Sequence, residues 1–279
     1  MPLPKDELLK RIHESELRGE FDAIVEPINP NNYDLVGENY QYLCKGFIRH
    51  IPHFLMRGVV LFAGLIINGL GFGLKVRGRK NLRGVKAAVL TCNHVNDFDN
   101  LMVRQAAFGH RLYIVVGEFN NKCGLFGKML KAGGALPISS NFRAMVNFRK
   151  AVEKVLSGNN YVLFYPEESE WWLYEKPRPF KNGAFHFAAT ALVPVVPMFI
   201  TFSDPTGWRK LFIKRKAVTL HIMPPIAPEA NRSARENIDY LRDACYRACA
   251  EKYVEFYRRP LVFETAQNPA KQENIGDLT

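Results

Sequence analysis

No acidic residue stands between Glu38 and Asp97, although the whole chain sets 27 Asp and Glu against 38 Lys and Arg. That gap holds Lys45, Arg49, Arg57, Lys75, Arg77, Arg79, Lys80, Arg83 and Lys86. Charge of one sign over such a length predicts an anionic neighbour, either nucleic acid or an anionic lipid surface. Apolar residues interleaved with these cations favour lipid, and no nucleic-acid partner is expected. Cysteine is scarce as well. Five residues in a chain of 279, without a C-x-x-C pair, exclude a disulfide framework, predict reduced thiols in the cytoplasm and offer no metal site. Gly 20 and Pro 17 lie near average usage, which excludes a collagen-like chain, and 47% apolar residues exclude a disordered one. The amino terminus, MPLPKDELLKRIHESELRGEFDAI, has mixed charge and no apolar centre, so it does not read as a signal peptide. No serine lies in a G-x-S-x-G elbow, and neither a P-loop nor a complete G-x-G-x-x-G is present.

What is present divides into three stretches: an amino-terminal helical, membrane-associating region at 1–74, an α/β domain at 75–260 and a polar tail at 261–279. The first residues read as a short exposed helix. From Asn39 the cations Lys45, Arg49 and Arg57, with His53, recur every four residues beside Leu43, Phe47, Ile48, Ile51, Phe54 and Leu55, the pattern of a basic amphipathic helix. His50 and His53 read as interface residues of that helix rather than ligands. Gly58 to Leu74 then carries no charge for seventeen residues, roughly 26 Å as helix against a hydrocarbon core of about 30 Å. That is marginal for spanning, and Asn68 and four glycines weaken it further. The segment is expected to lie in the membrane interface or to dip into one leaflet; the competing reading is a buried helical hairpin capping the domain.

Beyond it, short β-like runs at 72–77, 87–91, 112–116, 135–138, 161–165, 194–201 and 217–222 alternate with helical ones at 100–108, 125–132, 142–156, 182–191 and 233–257. Alternation of this kind predicts an α/β fold, a central mixed sheet flanked by helices. Cys245 and Cys249, four apart on the last helix, read as small core-facing side chains.

Chemistry concentrates where the strand at 87–91 ends in Asn93-His94-Val95-Asn96-Asp97-Phe98-Asp99. Ligands and reactive groups gather at the carboxyl ends of strands in such folds. Asp99 lies five positions after His94, so a turn opening a helix can return the carboxylate to one ring nitrogen and leave the other free to take a proton. Asp97 is a rival partner, and helix capping on a solvated surface is the plainer reading of the same residues.

The companions of this turn resemble the glycerolipid acyltransferase family of the lysophosphatidic acid acyltransferase type. Asn93, His94 and Asp99 match its N-H-x-x-x-x-D. Val76-Arg-Gly78-Arg-Lys-Asn81-Leu82 is similar to its V-x-G-x-E-N-L, with Lys80 in place of the acid. Gly134 to Ser140 resembles G-x-x-F-I-x-R, with Pro137 for the phenylalanine, Ser140 for the arginine and Arg143 as the nearest replacement. Tyr165-Pro166-Glu167-Glu168-Ser169-Glu170-Trp171 corresponds to F-P-E-G-T-R-S without its glycine or arginine. Phe180-Lys181-Asn182-Gly183-Ala184-Phe185 follows F-K-x-G-A-F, and Val193 to Pro197 follows V-P-V-x-P. The order and spacing agree over residues 75 to about 225.

The resemblance implies transfer of a fatty acyl group from a thioester, on coenzyme A or acyl carrier protein, to a hydroxyl of a lysolipid-like acceptor, with no further cofactor. It implies work at the cytoplasmic face of a membrane by a peripheral or monotopic protein. His94 is then the general base and Asp99 its orienting partner, with Asn93, Ser139, Ser140, Arg143, Glu167, Arg178, Lys181 and Gly183 as substrate-binding positions. An oxyanion donor is expected from backbone around 134–140. Glu167 either holds a nearby backbone or acceptor hydroxyl or simply forms a turn beside Pro166. Trp171, Trp172 and Tyr174 either cover the acceptor or close the core. The two missing arginines are where the family is expected to grip an acceptor phosphate, and Glu170 would repel one unless Lys176, Arg178 or Lys181 folds back to pair it. A lipid-binding protein of the same fold, non-catalytic or weakly thioesterase-like, is the alternative reading.

Overall fold

The computed structural model describes residues 3–43, 47–207, 209–212 and 215–265, side chains at 47–53 and 212 excepted. Lys45 and the tail from Gln267 to Thr279 lie outside the described residues, as do the side chains of Arg49, His50 and His53. Seven strands form one sheet: β1 (Lys75–Arg77), β2 (Ala88–Cys92), β3 (Leu112–Val116), β4 (Ala135–Pro137), β5 (Tyr161–Phe164), β6 (Val195–Ser203) and β7 (Ala217–Ile222). Their spatial order is β1-β7-β6-β2-β5-β3-β4. Pairing is parallel throughout except for β6 with β7, so the sheet is mixed, as expected.

β2 and β5 sit at the centre and are buried at every residue, which is why they read as unbroken apolar runs rather than alternating ones. Successive side chains still go to opposite faces. Val89, Val162 and Val195 join a core with α5 (Phe142–Ser157), α6 (Gly183–Ala191) and α8 (Ala234–Tyr257). Leu90, Leu163 and Val196 join the other, against α3 (Asp99–Ala106). On α5, Ala144, Phe148, Ala151, Val152 and Val155 are the buried stripe of an amphipathic helix that Asn141 caps by accepting from the Ala144 N–H. Ser233 and Glu236 form a reciprocal capping box at the start of α8, and Cys245 and Cys249 are buried on its inner face.

The structure departs from expectation at the amino terminus. α1 (Lys5–Arg18) is not an exposed helix: Ile12, Ser15 and Glu16 are buried, and Ile12 packs with Val25 and Trp171. Glu16 pairs with Lys176, which lies 160 positions along the chain. Val36 and Tyr42 enter the principal core, so much of 5–43 packs on the α/β layers and not on a separate region. The strand expected over 72–77 begins only at Lys75, because Ile67–Phe72 forms a π-helical turn continuous with α2 (Phe47–Ile66).

α2 and this turn form one helical segment, so 58–72 is not a helical hairpin. Gly64 faces Leu101 of α3, and buried Asn68 donates to the Leu101 carbonyl at 3.0 Å and to Gln105 at 2.8 Å. Asn68 thus fastens the segment to the domain instead of weakening it. The opposite face presents Phe54, Leu55, Val59, Phe62, Leu65, Ile66 and Leu70 to the exterior, Phe62 and Leu70 being 67% and 69% exposed. Leu125 and Phe126 of the adjoining α4 (Gly124–Ala132) are exposed as well. Phe54–Phe72, with mean hydropathy 1.8, is the only helical stretch among the described residues long and apolar enough to cross a membrane.

Candidate active site

β2 does not stop at Cys92 in hydrogen-bonding terms. The buried Asn93 side chain donates to the Ile200 carbonyl at 3.1 Å and accepts from the Ile200 N–H at 2.7 Å, the two bonds another strand residue would make. This side-chain substitute for backbone holds the strand end against β6 while freeing the Asn93 main chain to turn. Expected to bind substrate, Asn93 is instead a buried clamp between strands.

The turn that follows is wound around one carboxylate oxygen. Asp99 Oδ2 accepts from the Val95 N–H at 2.8 Å, the Asn96 N–H at 3.0 Å and His94 Nδ1 at 3.2 Å. Asn96 Oδ1 accepts from the Phe98 N–H at 3.0 Å, completing the turn into α3. Asp99, fully buried, and not the exposed Asp97, is therefore the imidazole's neighbour. Burial pushes the Asp99 carboxyl well above its usual range, and the two backbone N–H groups oppose that. With Nδ1–H donated to Asp99, the unprotonated nitrogen of the neutral ring is Nε2. Burial lowers the His94 pKa from 6.5, so the ring is neutral at pH 7. The ring stacks on Tyr165, centroids 4.0 Å apart, and 24% of its side chain is exposed. Sequence reasoning passed over Tyr165, whose only signal was its aromatic place at the head of the third motif.

Beneath His94 lies a buried ion pair. Glu167 Oε2 is 2.8 Å from Arg178 Nη2 and accepts from Arg178 Nε at 3.1 Å and from the His94 N–H at 3.3 Å. Its Oε1 accepts from the Arg178 N–H at 3.0 Å. Arg178 Nη1 donates to Ser169 Oγ and to the Phe21 carbonyl, Nη2 to the Ser169 carbonyl, and the guanidinium lies over Trp171. Both residues were expected at the substrate. Burial corrects that: their polar atoms are turned onto the protein, and they position the backbone of His94. The Trp171 and Leu173 N–H groups complete this by donating to the His94 and Val95 carbonyls at 3.0 and 2.9 Å. Fully buried Trp171 donates its indole N–H to Ala23, so it closes the core rather than covering an acceptor. Glu168 occupies the family's glycine position at φ 67, which explains why glycine suits that turn.

Glu170 stands on the open side. Its Oε2 is 3.8 Å from His94 Nε2, and its side chain is 25% exposed. Burial raises its pKa to about 8, with His94 opposing the shift. A carboxyl whose pKa is raised on folding favours the folded state below its unfolded value near 4.5, and that contribution is lost as pH climbs toward 8. Glu170→Gln is therefore expected to stabilise the protein by about 1–3 kcal/mol at pH 9 and by nothing below pH 4. Thermal melts of both forms across that range check the sign; a gain confined to acid pH would contradict it.

The remaining expected positions are not brought to His94. Ser139 Oγ donates to the Val36 carbonyl at 2.6 Å, Ser140 bonds Glu118, and exposed Arg143 pairs with Glu38 at 2.8 Å. They follow β4, which β5 and β3 separate from β2, roughly 14 Å at the usual strand spacing. Exposed Lys181 pairs with Asp22 at 2.6 Å, and Gly183 opens α6 with open space where a side chain would start. Gly78, by contrast, is needed: at φ +78 an added Cβ would lie 2.1 Å from the Ile222 carbonyl, to which Asn81 donates at 2.7 Å. Among the described residues no group of His, Cys, Asp and Glu is arranged to hold a metal ion.

Residues 73–201 match the family model described as Acyltransferase. An uncharacterized acyltransferase of Schizosaccharomyces pombe is 28% identical over 191 residues, which is 65% of this chain and 66% of that protein. Human 1-acyl-sn-glycerol-3-phosphate acyltransferase beta is 26% identical over 193 residues, covering 68% of each chain. The chain thus spans about two thirds of the length of these curated relatives. The crystal structure of the 1-acyl-sn-glycerophosphate acyltransferase of Thermotoga maritima superposes with a TM-score of 0.55 at 18% identity, over 78% of this chain and 86% of that one, a likeness of fold.

Proposed function

We propose that this chain, which matches the Acyltransferase family model over residues 73–201 and resembles glycerolipid acyltransferases of the lysophosphatidic acid acyltransferase type, moves a fatty acyl group from a thioester, on coenzyme A or acyl carrier protein, to a hydroxyl of a lysolipid acceptor. The observation that carries this reading is the His94–Asp99 pair, 3.2 Å apart, in a ring that is 24% exposed and whose Nε2 faces Glu170 at 3.8 Å. The acceptor hydroxyl gives its proton to Nε2 while its oxygen attacks the thioester carbonyl carbon. Asp99 stabilises the imidazolium that forms. Collapse of the tetrahedral intermediate breaks the carbon–sulfur bond, and Nε2–H returns its proton to the departing thiolate. The products are an ester and a free thiol, no acyl-enzyme is required, and a thioester is reactive enough to need no further cofactor. Incubating the purified protein with an acyl thioester and a panel of lysolipids, then looking for diacyl product by mass spectrometry, tests the reading. Thiol without diacyl product would mark a thioesterase, and neither product a lipid binder.

The acceptor and product are lipids, so the enzyme has to meet a bilayer. The outward apolar face of α2, with the cations flanking it, is the surface we assign to that contact, lying in the cytoplasmic interface as a monotopic anchor. Phe62 and Leu65 stand out from it, and burying each in lipid is worth about 1.5–3 kcal/mol. Replacing both by glutamate is expected to lower partition onto anionic vesicles by about 10²-fold or more. Sedimentation with vesicles reads this directly, and an unchanged pellet would put the anchor elsewhere.

A further inference from the structure

Glu170 occupies the position where the resembled third motif carries an arginine, and among the described residues no Lys or Arg pairs with it. The three side chains able to neutralise it are committed elsewhere: Lys176 to Glu16, Arg178 to Glu167 and Lys181 to Asp22. The groups that act on Glu170 most strongly are His94 and the carboxyls of Asp97, Asp99 and Glu26. Once Glu170 ionises, at a pH above about 8, the mouth of the site is thus acidic, the opposite of what a doubly charged phosphate monoester needs. Distance sharpens the point. With Glu170 Oε2 and His94 Nε2 3.8 Å apart, one oxygen can lie at about 2.8 Å from both, so whatever hydroxyl approaches the base also meets Glu170.

We infer that Glu170 is a specificity residue that rejects acceptors bearing a phosphomonoester and favours lysolipids whose phosphate is a diester or which carry none. Acceptors of that class bring hydroxyl groups, which donate to Glu170, or a phosphate carrying one charge fewer, which it repels less. The inference rests on the acyl-transfer reading and narrows its acceptor.

The test compares, at pH 9 where Glu170 is ionised, kcat/KM for lysophosphatidic acid with that for lysophosphatidylglycerol, lysophosphatidylcholine and monoacylglycerol of the same chain length in mixed micelles, in wild type, Glu170→Gln and Glu170→Arg. Wild type is expected to use the best acceptor lacking a phosphomonoester at least about 10-fold better than lysophosphatidic acid. Glu170→Arg is expected to move that ratio about 10-fold or more toward lysophosphatidic acid. Glu170→Gln, nearly the same shape without the charge, is expected to shift it in the same direction by less, and it carries the test if the arginine variant fails to fold. A wild-type preference for lysophosphatidic acid, or a ratio unmoved in both variants, overturns the inference while His94-dependent transfer stands. Transfer to none of the four acceptors would overturn the acyl-transfer reading and the inference together.

Discussion

His94→Ala is expected to lower acyl transfer by about 10²- to 10⁴-fold, the span that positioned acid–base catalysis supplies. The loss should fall on kcat for every acceptor, because the ring acts on the hydroxyl common to all of them. It should not unfold the protein. The motif loop is held by main-chain bonds from Glu167, Arg178, Trp171 and Leu173, each made to the backbone of His94 or its neighbour Val95, which alanine preserves. A matching thermal melt and unchanged vesicle binding therefore accompany the kinetic loss. An alanine variant within a few-fold of wild type would show that some other group takes the proton.

Arg178→Ala is expected to be the most destabilising single change near the site. Removing one member of a fully buried ion pair leaves the other charge without compensation and costs about 3–5 kcal/mol. Here the consequences spread, because the same guanidinium ties Phe21 of the amino-terminal segment to Ser169 of the third motif. Chemical denaturation should show a lower midpoint, and acyl transfer should fall even at temperatures where the variant remains folded, since Glu167 no longer fixes the His94 N–H. A cost below about 1 kcal/mol would mean that the pair contributes little, as exposed pairs do.

Much of the α/β layer was legible because its signals are local. Runs such as 112–116 and 217–222 announce buried strands by composition alone, and α5 and α8 by apolar spacing and their capping residues. The His94–Asp99 pairing was legible for the same reason: five residues and one turn decide it. Roles that depend on partners far along the chain were not. Glu16 meets Lys176 across 160 residues, and nothing in the helix around Glu16 signals that it will be buried. Arg178 carries the charge of a phosphate ligand, and only its burial against Glu167 shows that it serves the scaffold. Ser139, Ser140 and Arg143 were misplaced because a motif gives order along the chain, whereas strand order decides which loops meet, and β4 lies at the sheet edge. Asn68 illustrates the converse. A polar residue in an apolar run looked like a defect in a membrane segment, yet it is the bond that seats that segment on α3.

The proton-abstraction step is tested most directly by following thiol release from an acyl thioester in the purified protein, with and without a lysolipid acceptor, in wild type and His94→Ala side by side. Transfer predicts thiol in step with diacyl product, only when acceptor is present and only with the histidine intact. Thiol released at the same rate without acceptor, or undiminished when the imidazole is gone, would contradict it.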